Sequence, residues 1–304
     1  MIRKLFFLAA TFAVLGFAAF WFLTIPATVR ASELGPHTPN LANGKTMFLA
    51  GNCQGCHAIP KQPDTARLGG GLGLVSKFGT FYAPNISSDS KDGVGGWTEA
   101  QFVTAMKKGV SPDGEHLYPV FPYTSFQRMT TDDLRDLLAY LKTLPAVSGQ
   151  VRDADVRFPM NIRRLMGGWK LLYLDGKEFK PDATQSAQWN RGAYLVNGPE
   201  HCAECHSTRN AFGAIEHGKR FAGAPNAYGK LVGNLGFPNI TQAALKKFPE
   251  HGIATMLSSG LTPDGDRLGG PMTDVIRSTS QLSEDDREAI AAYIKSLPAV
   301  GAER

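Results

Sequence analysis

Apolar positions fall into three kinds of segment along this chain. Residues 5–25 form a run of 21 residues rich in Phe, Leu and Ala and free of charge, long enough for one helix to cross a bilayer. Far downstream, Leu134, Leu137, Leu138 and Leu141 share one face of a helical repeat, as do Ile290, Tyr293, Ile294 and Leu297. Each amphipathic helix has a start signal, Thr130-x-x-Asp133 or Ser283-x-x-Asp286, and stops shortly before a proline. Shorter helices are expected around residues 43–51 and 191–197, each with a glycine, Gly44 or Gly192, that lets another helix cross closely. Long connections join them, including the glycine-rich stretch at 68–73.

These helices belong to a larger repetition with a period of about 150 residues, domain-sized and therefore a duplication rather than a solenoid. Ala83-Pro84-Asn85-Ile86-Ser87 recurs as Phe237-Pro238-Asn239-Ile240-Thr241, and Ser111-Pro112-Asp113-Gly114 as Thr262-Pro263-Asp264-Gly265. Tyr140-Leu141-Lys142-Thr143-Leu144-Pro145-Ala146-Val147 matches Tyr293-Ile294-Lys295-Ser296-Leu297-Pro298-Ala299-Val300. The expected organisation is an N-terminal anchor (1–30), a first domain (31–148), a linker (149–185) and a second domain (186–304). Each domain reads as mainly helical with long loops.

The repeat also carries chemistry. All four cysteines lie in two Cys-x-x-Cys-His motifs, Cys53-Gln54-Gly55-Cys56-His57 and Cys202-Ala203-Glu204-Cys205-His206. Two thiols one helical turn apart can both add to the vinyl groups of one porphyrin, and the adjacent imidazole then faces the iron. The motif therefore predicts two covalently bound haem c groups, with Cys53, Cys56, Cys202 and Cys205 as attachment points and His57 and His206 as proximal ligands. A zinc site would bring the pairs closer in sequence, and a redox dithiol has no need of the histidine. The long glycine-rich loops suit a wrapped object the size of a porphyrin.

Composition agrees with a globular two-domain chain: 304 residues, 43% hydrophobic and 19% charged. The formal charge of +5 omits the haem propionates, about four carboxylates that would nearly cancel it, and no Lys/Arg block tracks phosphates. Nucleic acid is not an expected partner. The apolar run exceeds the core of a cleaved secretory signal and lacks a small-x-small site, so an uncleaved anchor is expected. Arg3 and Lys4 keep its start in the cytoplasm. That orientation puts the haem domains on the periplasmic side of the inner membrane, where thioether attachment is completed, and this chain spends no cysteine on disulfides.

The sixth iron ligand decides between an electron carrier and an open, reactive haem. In the second domain Met272, following Gly269-Gly270-Pro271, lies in the loop before the last helix, whereas Met256 sits in a helical, core-like context. In the first domain the repeat places Phe121 opposite Met272, so the ligand does not transfer. Met129 is the methionine of the corresponding loop, with His116 as a competing ligand and Met106 in a helix. His37, His201, His217 and His251 read as surface or hydrogen-bonded histidines, and Trp97 as packing. Asn85 and Asn239 either donate to propionates or cap turns, and Arg209 is a candidate propionate partner.

The run from Trp189 to Gly198, His201 through Asn210, the Pro84-Asn85-Ile86 triplet, the segment from His116 to Tyr123 and the stretch from Phe158 to Lys170 resemble the cytochrome c subunits of bacterial membrane-bound alcohol, gluconate and sorbitol dehydrogenases. The resemblance implies two tandem class I-like cytochrome c domains behind one transmembrane helix, and it supports Met129 and Met272 as iron ligands. It implies an electron carrier, not a catalyst. Electrons would come from a flavin, quinoprotein or molybdenum dehydrogenase subunit and pass to quinone, another cytochrome or an oxidase. Many such subunits carry a third haem; two motifs favour relay to another cytochrome over direct quinone reduction. A dihaem peroxidase, needing one open haem, is the rival reading. A thiosulfate-oxidising dihaem enzyme would need a spare cysteine ligand, which this chain lacks.

Overall fold

The computed structural model describes residues 1–224 and 236–301. Helix α1 (Ile2–Leu23) precedes a first half built from α2 (Leu41–Ala50), α3 (Cys53–His57), α4 (Glu99–Lys108), α5 (Tyr123–Phe126) and α6 (Thr131–Leu141). A connecting segment carries α7 (Leu165–Tyr173). The second half repeats the order with α8 (Ala187–Asn197), α9 (Ala203–His206), α10 (Gln242–Leu245), α11 (Glu250–Ser259), α12 (Met272–Thr279) and α13 (Glu284–Ser296).

In each half the first helix crosses the last, α2 on α6 and α8 on α13. The crossings need glycine. A Cβ on Gly44 would overlap the Asp136 carbonyl, and one on Gly192 the Ala289 carbonyl. Aromatic pairs flank both crossings, Phe48 with Tyr140 at 5.4 Å and Trp189 with Tyr293 at 5.1 Å between ring centroids. The expected caps are present: the side chain of Thr130 accepts from the Asp133 amide and that of Ser283 from the Asp286 amide.

Two features depart from a helices-and-loops picture. A small antiparallel sheet, β1 (Gly73–Ser76), β2 (Gly79–Tyr82) and β3 (Asp155–Val156), ties the connecting segment to the first half. One hydrophobic cluster also runs through both halves, joining Met47, Leu134 and Leu138 to Leu195, Phe221 and Ile290. Helix α1 has no fully buried residue and meets the rest of the chain at α7. Among the described residues it is the one helix long and apolar enough to cross a membrane.

Candidate haem sites

Each Cys-x-x-Cys-His motif is launched by the same backbone turn. The residue before the first cysteine is left-handed in both halves, Asn52 with φ 43° and His201 with φ 40°. Asparagine and histidine are among the residues that tolerate this region. The turn swings the chain out of α2 or α8 and starts the short helix that presents both thiols and the histidine. Cys53 and Cys202 rest against the shared core, while Cys56 opens to solvent. Burial, followed by the neighbouring Cys56, pushes the Cys53 thiol up to about 12. Burial also raises Cys202, with Glu200 next. These thiols are held protonated, the reverse of the depressed thiolate of a redox Cys-x-x-Cys.

The histidines are oriented by an identical device. His57 Nδ1 lies 2.8 Å from the Pro84 carbonyl and His206 Nδ1 lies 2.8 Å from the Pro238 carbonyl. A carbonyl only accepts, so Nδ1 carries the proton and Nε2 keeps its lone pair, the arrangement of a metal-ligating imidazole. Burial lowers the proton affinity of both rings, favouring the neutral form that binds a metal. The carbonyls are themselves anchored next door. Asn85 donates to the carbonyls of Val147 (2.7 Å) and Gly149 (3.1 Å) and accepts from the Ser87 amide (2.9 Å). Asn239 donates to Val300 (2.7 Å) and accepts from the Thr241 amide (2.8 Å). Of the two roles open to these amides, turn closure is the one observed. Two thiols on one helical turn beside an imidazole with a free Nε2 fit a c-type haem in each half.

The distal candidates are unequal. Met272 opens α12 and is half-buried against the shared core. Met129 is 1% exposed, lies beside Gly198 at the end of α8, and immediately precedes the N-cap of α6. Leu282 holds the same place before the N-cap of α13 and is likewise in the core. Phe121, opposite Met272 in the repeat, packs against Phe126 at 5.4 Å. His116 is removed from the candidates: Nε2 is 2.9 Å from the Thr24 carbonyl and Nδ1 is 3.0 Å from Lys170 Nζ, so both nitrogens are engaged. Met256 and Met106 are core residues, as their helical settings suggested.

Each motif is braced by the other half, which sequence alone did not reveal. In the first motif, Gln54 Nε2 donates to Ser278 Oγ on α12 at 3.2 Å. In the second, Glu204 Oε1 accepts from Thr124 and Ser125 of the first half, both at 2.9 Å. Burial works to raise the Glu204 carboxyl, but Arg209 and these hydroxyls together hold it below the usual range. Arg209, the candidate propionate partner, lies 2.6 Å from Glu204 Oε2 and donates also to the Gly213 carbonyl. A cavity of 590 Å³ at the junction, lined by residues including Arg128, Trp169, Glu204 and Arg220, reaches neither proximal histidine.

The sequence profile of the family described as cytochrome c matches residues 41–145 and 189–298, one match around each motif. The chain belongs to the cytochrome c family. This cytochrome carries covalently bound haem c and is an electron-transfer protein. It is 43% identical to a "Diheme cytochrome c-type" protein of Cereibacter sphaeroides, over 94% of this chain and 95% of the relative. It is 34% identical to the fructose dehydrogenase cytochrome subunit of Gluconobacter japonicus, over 89% of this chain and 56% of that subunit. It is also 34% identical to the cytochrome c subunit of a quinone-dependent alcohol dehydrogenase of Gluconacetobacter polyoxogenes, over 93% of this chain and 61% of that subunit. The cytochrome thus spans nearly all of the first relative and little more than half of the other two.

Proposed function

We propose that this chain is a membrane-tethered dihaem relay that accepts single electrons from a dehydrogenase catalytic subunit and passes them to a respiratory acceptor. The observation that carries the reading is the doubled proximal site, in which His57 and His206 each offer Nε2 while a proline carbonyl holds Nδ1 at 2.8 Å. One haem is attached through Cys53 and Cys56, the other through Cys202 and Cys205. A haem iron cycling between ferric and ferrous supplies the one-electron chemistry. The chain's own residues fix the imidazoles, hold Cys53 and Cys202 against the shared core and brace each motif through the opposite half. Met272 is the sixth ligand of the second haem. For the first, Met129, the buried methionine of the loop between α4 and α6, is the sixth ligand.

Relatives named as dehydrogenase subunits support a dehydrogenase donor; the donor is of the flavin, quinoprotein or molybdenum type, and the acceptor is another cytochrome, an oxidase or quinone. Helix α1 anchors the chain in the inner membrane with both haems on the periplasmic side, consistent with Arg3 and Lys4 at its start.

Haem content by pyridine haemochrome tests the assignment. The native protein should hold two haems per chain, and Cys53→Ser/Cys56→Ser and Cys202→Ser/Cys205→Ser should each hold one. Purification through the intact anchor should bring down a dehydrogenase whose substrate reduces both haems. A chain that oxidises an alcohol, aldehyde or sugar by itself would overturn the relay. The core setting of Met129 favours one specific second reading, a peroxidase-like haem 1 with an open sixth position. A high-spin ferric signal from that haem would support it, and two low-spin signals would dismiss it.

A further inference from the structure

The anchor does not join the haem body through a loose tether. Thr24, directly after α1, is 1% exposed and its carbonyl takes the His116 contact at 2.9 Å. Arg164 clamps the same turn: its guanidinium lies 4.3 Å from the Trp21 ring centroid, its Nε donates to Thr24 Oγ1 at 2.8 Å, and it bonds the Trp21 carbonyl. Helix α7 crosses the end of α1 at two glycines. A Cβ on Gly167 would meet Thr24 at 2.6 Å, and one on Gly168 the Phe20 ring at 3.0 Å. Further on, the Val29 amide donates to Thr104 Oγ1 at 2.9 Å.

The face of α7 that meets Phe20 at Gly168 continues one turn later as Leu171 and Leu172, 57% and 73% exposed. Phe212, 65% exposed, is tied to the same helix by its backbone carbonyl, which accepts from Trp169 Nε1 at 3.0 Å. Large apolar side chains in one exposed strip mark a contact surface. Apart from half-buried Phe20 at the Gly168 contact, α1 is exposed along its length, and the strip on α7 follows directly from that contact. Trp21 and Arg164 sit at that level, an amphipathic ring and a cation of the kind that concentrates at the membrane–water boundary.

We infer that the outer face of α7, with Leu171, Leu172 and Phe212, lies in the headgroup layer of the phospholipid bilayer and fixes the haem body in one orientation on the membrane. The inference rests on the reading of α1 as a membrane span. Docking of α7 on α1 then sets the tilt, and the apolar strip seats in the boundary between headgroups and acyl chains, as interfacial helices do.

Photo-crosslinking in the full-length haem-loaded protein, reconstituted in vesicles of phosphatidylethanolamine and phosphatidylglycerol, tests it. A benzophenone amino acid would replace Leu172, Phe12 in the span, or exposed Glu284 in the first turn of α13, with haem absorbance checked in each variant. Crosslinks to lipid at Leu172 and Phe12, several-fold above Glu284, are expected. Lipid labelling at Phe12 with Leu172 no better than Glu284 would overturn the interfacial placement and leave the span intact. No lipid labelling at Phe12 would remove the span and this inference with it.

Discussion

Ser278 donates its hydroxyl hydrogen to Asn52 Oδ1 at 2.8 Å, so a fully buried residue of the second half holds the left-handed turn that launches the first haem motif. Ser278 also accepts from Gln54, which makes it the hub of the brace. Ser278→Ala leaves both amide side chains without this partner. Losing a hydrogen bond to a half-buried amide costs about 0.5–1.5 kcal/mol. Denaturant unfolding followed at the haem bands should show that loss in one transition, because the two halves share a core.

The helix crossings allow less tolerance still. Gly192→Ala brings a methyl group onto the Ala289 carbonyl, a backbone atom that cannot rotate away, and overpacking of this kind costs about 1–3 kcal/mol. A lower thermal midpoint and a reduced yield of doubly haem-loaded protein are the expected readouts. An unchanged midpoint would mean that α8 and α13 separate more easily than their packing implies.

Glu200 makes stability depend on pH. Burial, with Asp286 adding to it, raises its carboxyl from the ordinary 4.5 to about 8. Between those values the unfolded chain has released this proton and the folded chain has kept it, so stability falls as pH rises through the window. Above about 8 the loss is complete. Glu200→Gln cannot ionise, and its unfolding free energy should be flatter than the native protein's between pH 4.5 and 8. Parallel slopes for the two proteins would show that Glu200 ionises freely.

Asn85 and Asn239 act on the iron from a distance. Removing Asn239 with Asn239→Ala frees the loop that carries the Pro238 carbonyl and should cost about 1–3 kcal/mol. Because that carbonyl orients His206 alone, the magnetic spectrum of one haem should change and the other stay as it was. Asn85→Ala should give the mirror result through His57.

Much of this was readable in the residues, for physical reasons. Cys-x-x-Cys-His is a local signal whose chemistry needs no tertiary context, and the amphipathic faces at Leu134–Leu141 and Ile290–Leu297 report directly on burial. Gly44 and Gly192 were also legible, because a glycine inside a helix costs stability unless something passes close by. The proline carbonyls were half-visible: the triplets at Pro84 and Pro238 recur, but the hydrogen bonds reach across 27 and 32 residues. The brace through Ser278 spans more than 200 positions, and no periodicity encodes such a contact. The partner that Arg209 takes here, Glu204 of the second motif, lies five residues away and carries no periodic signal. Met129 was legible as the methionine of its loop, and the structure adds that it is buried just before the N-cap of α6.

The reciprocal bracing of the motifs has an evolutionary consequence. Once Glu204 came to rely on Ser125, and Asn52 on Ser278, neither copy of the duplication could be shed without exposing polar groups and core surface in the survivor. What began as two interchangeable modules is now inherited as one indivisible unit, in which each copy chaperones the cofactor pocket of its twin.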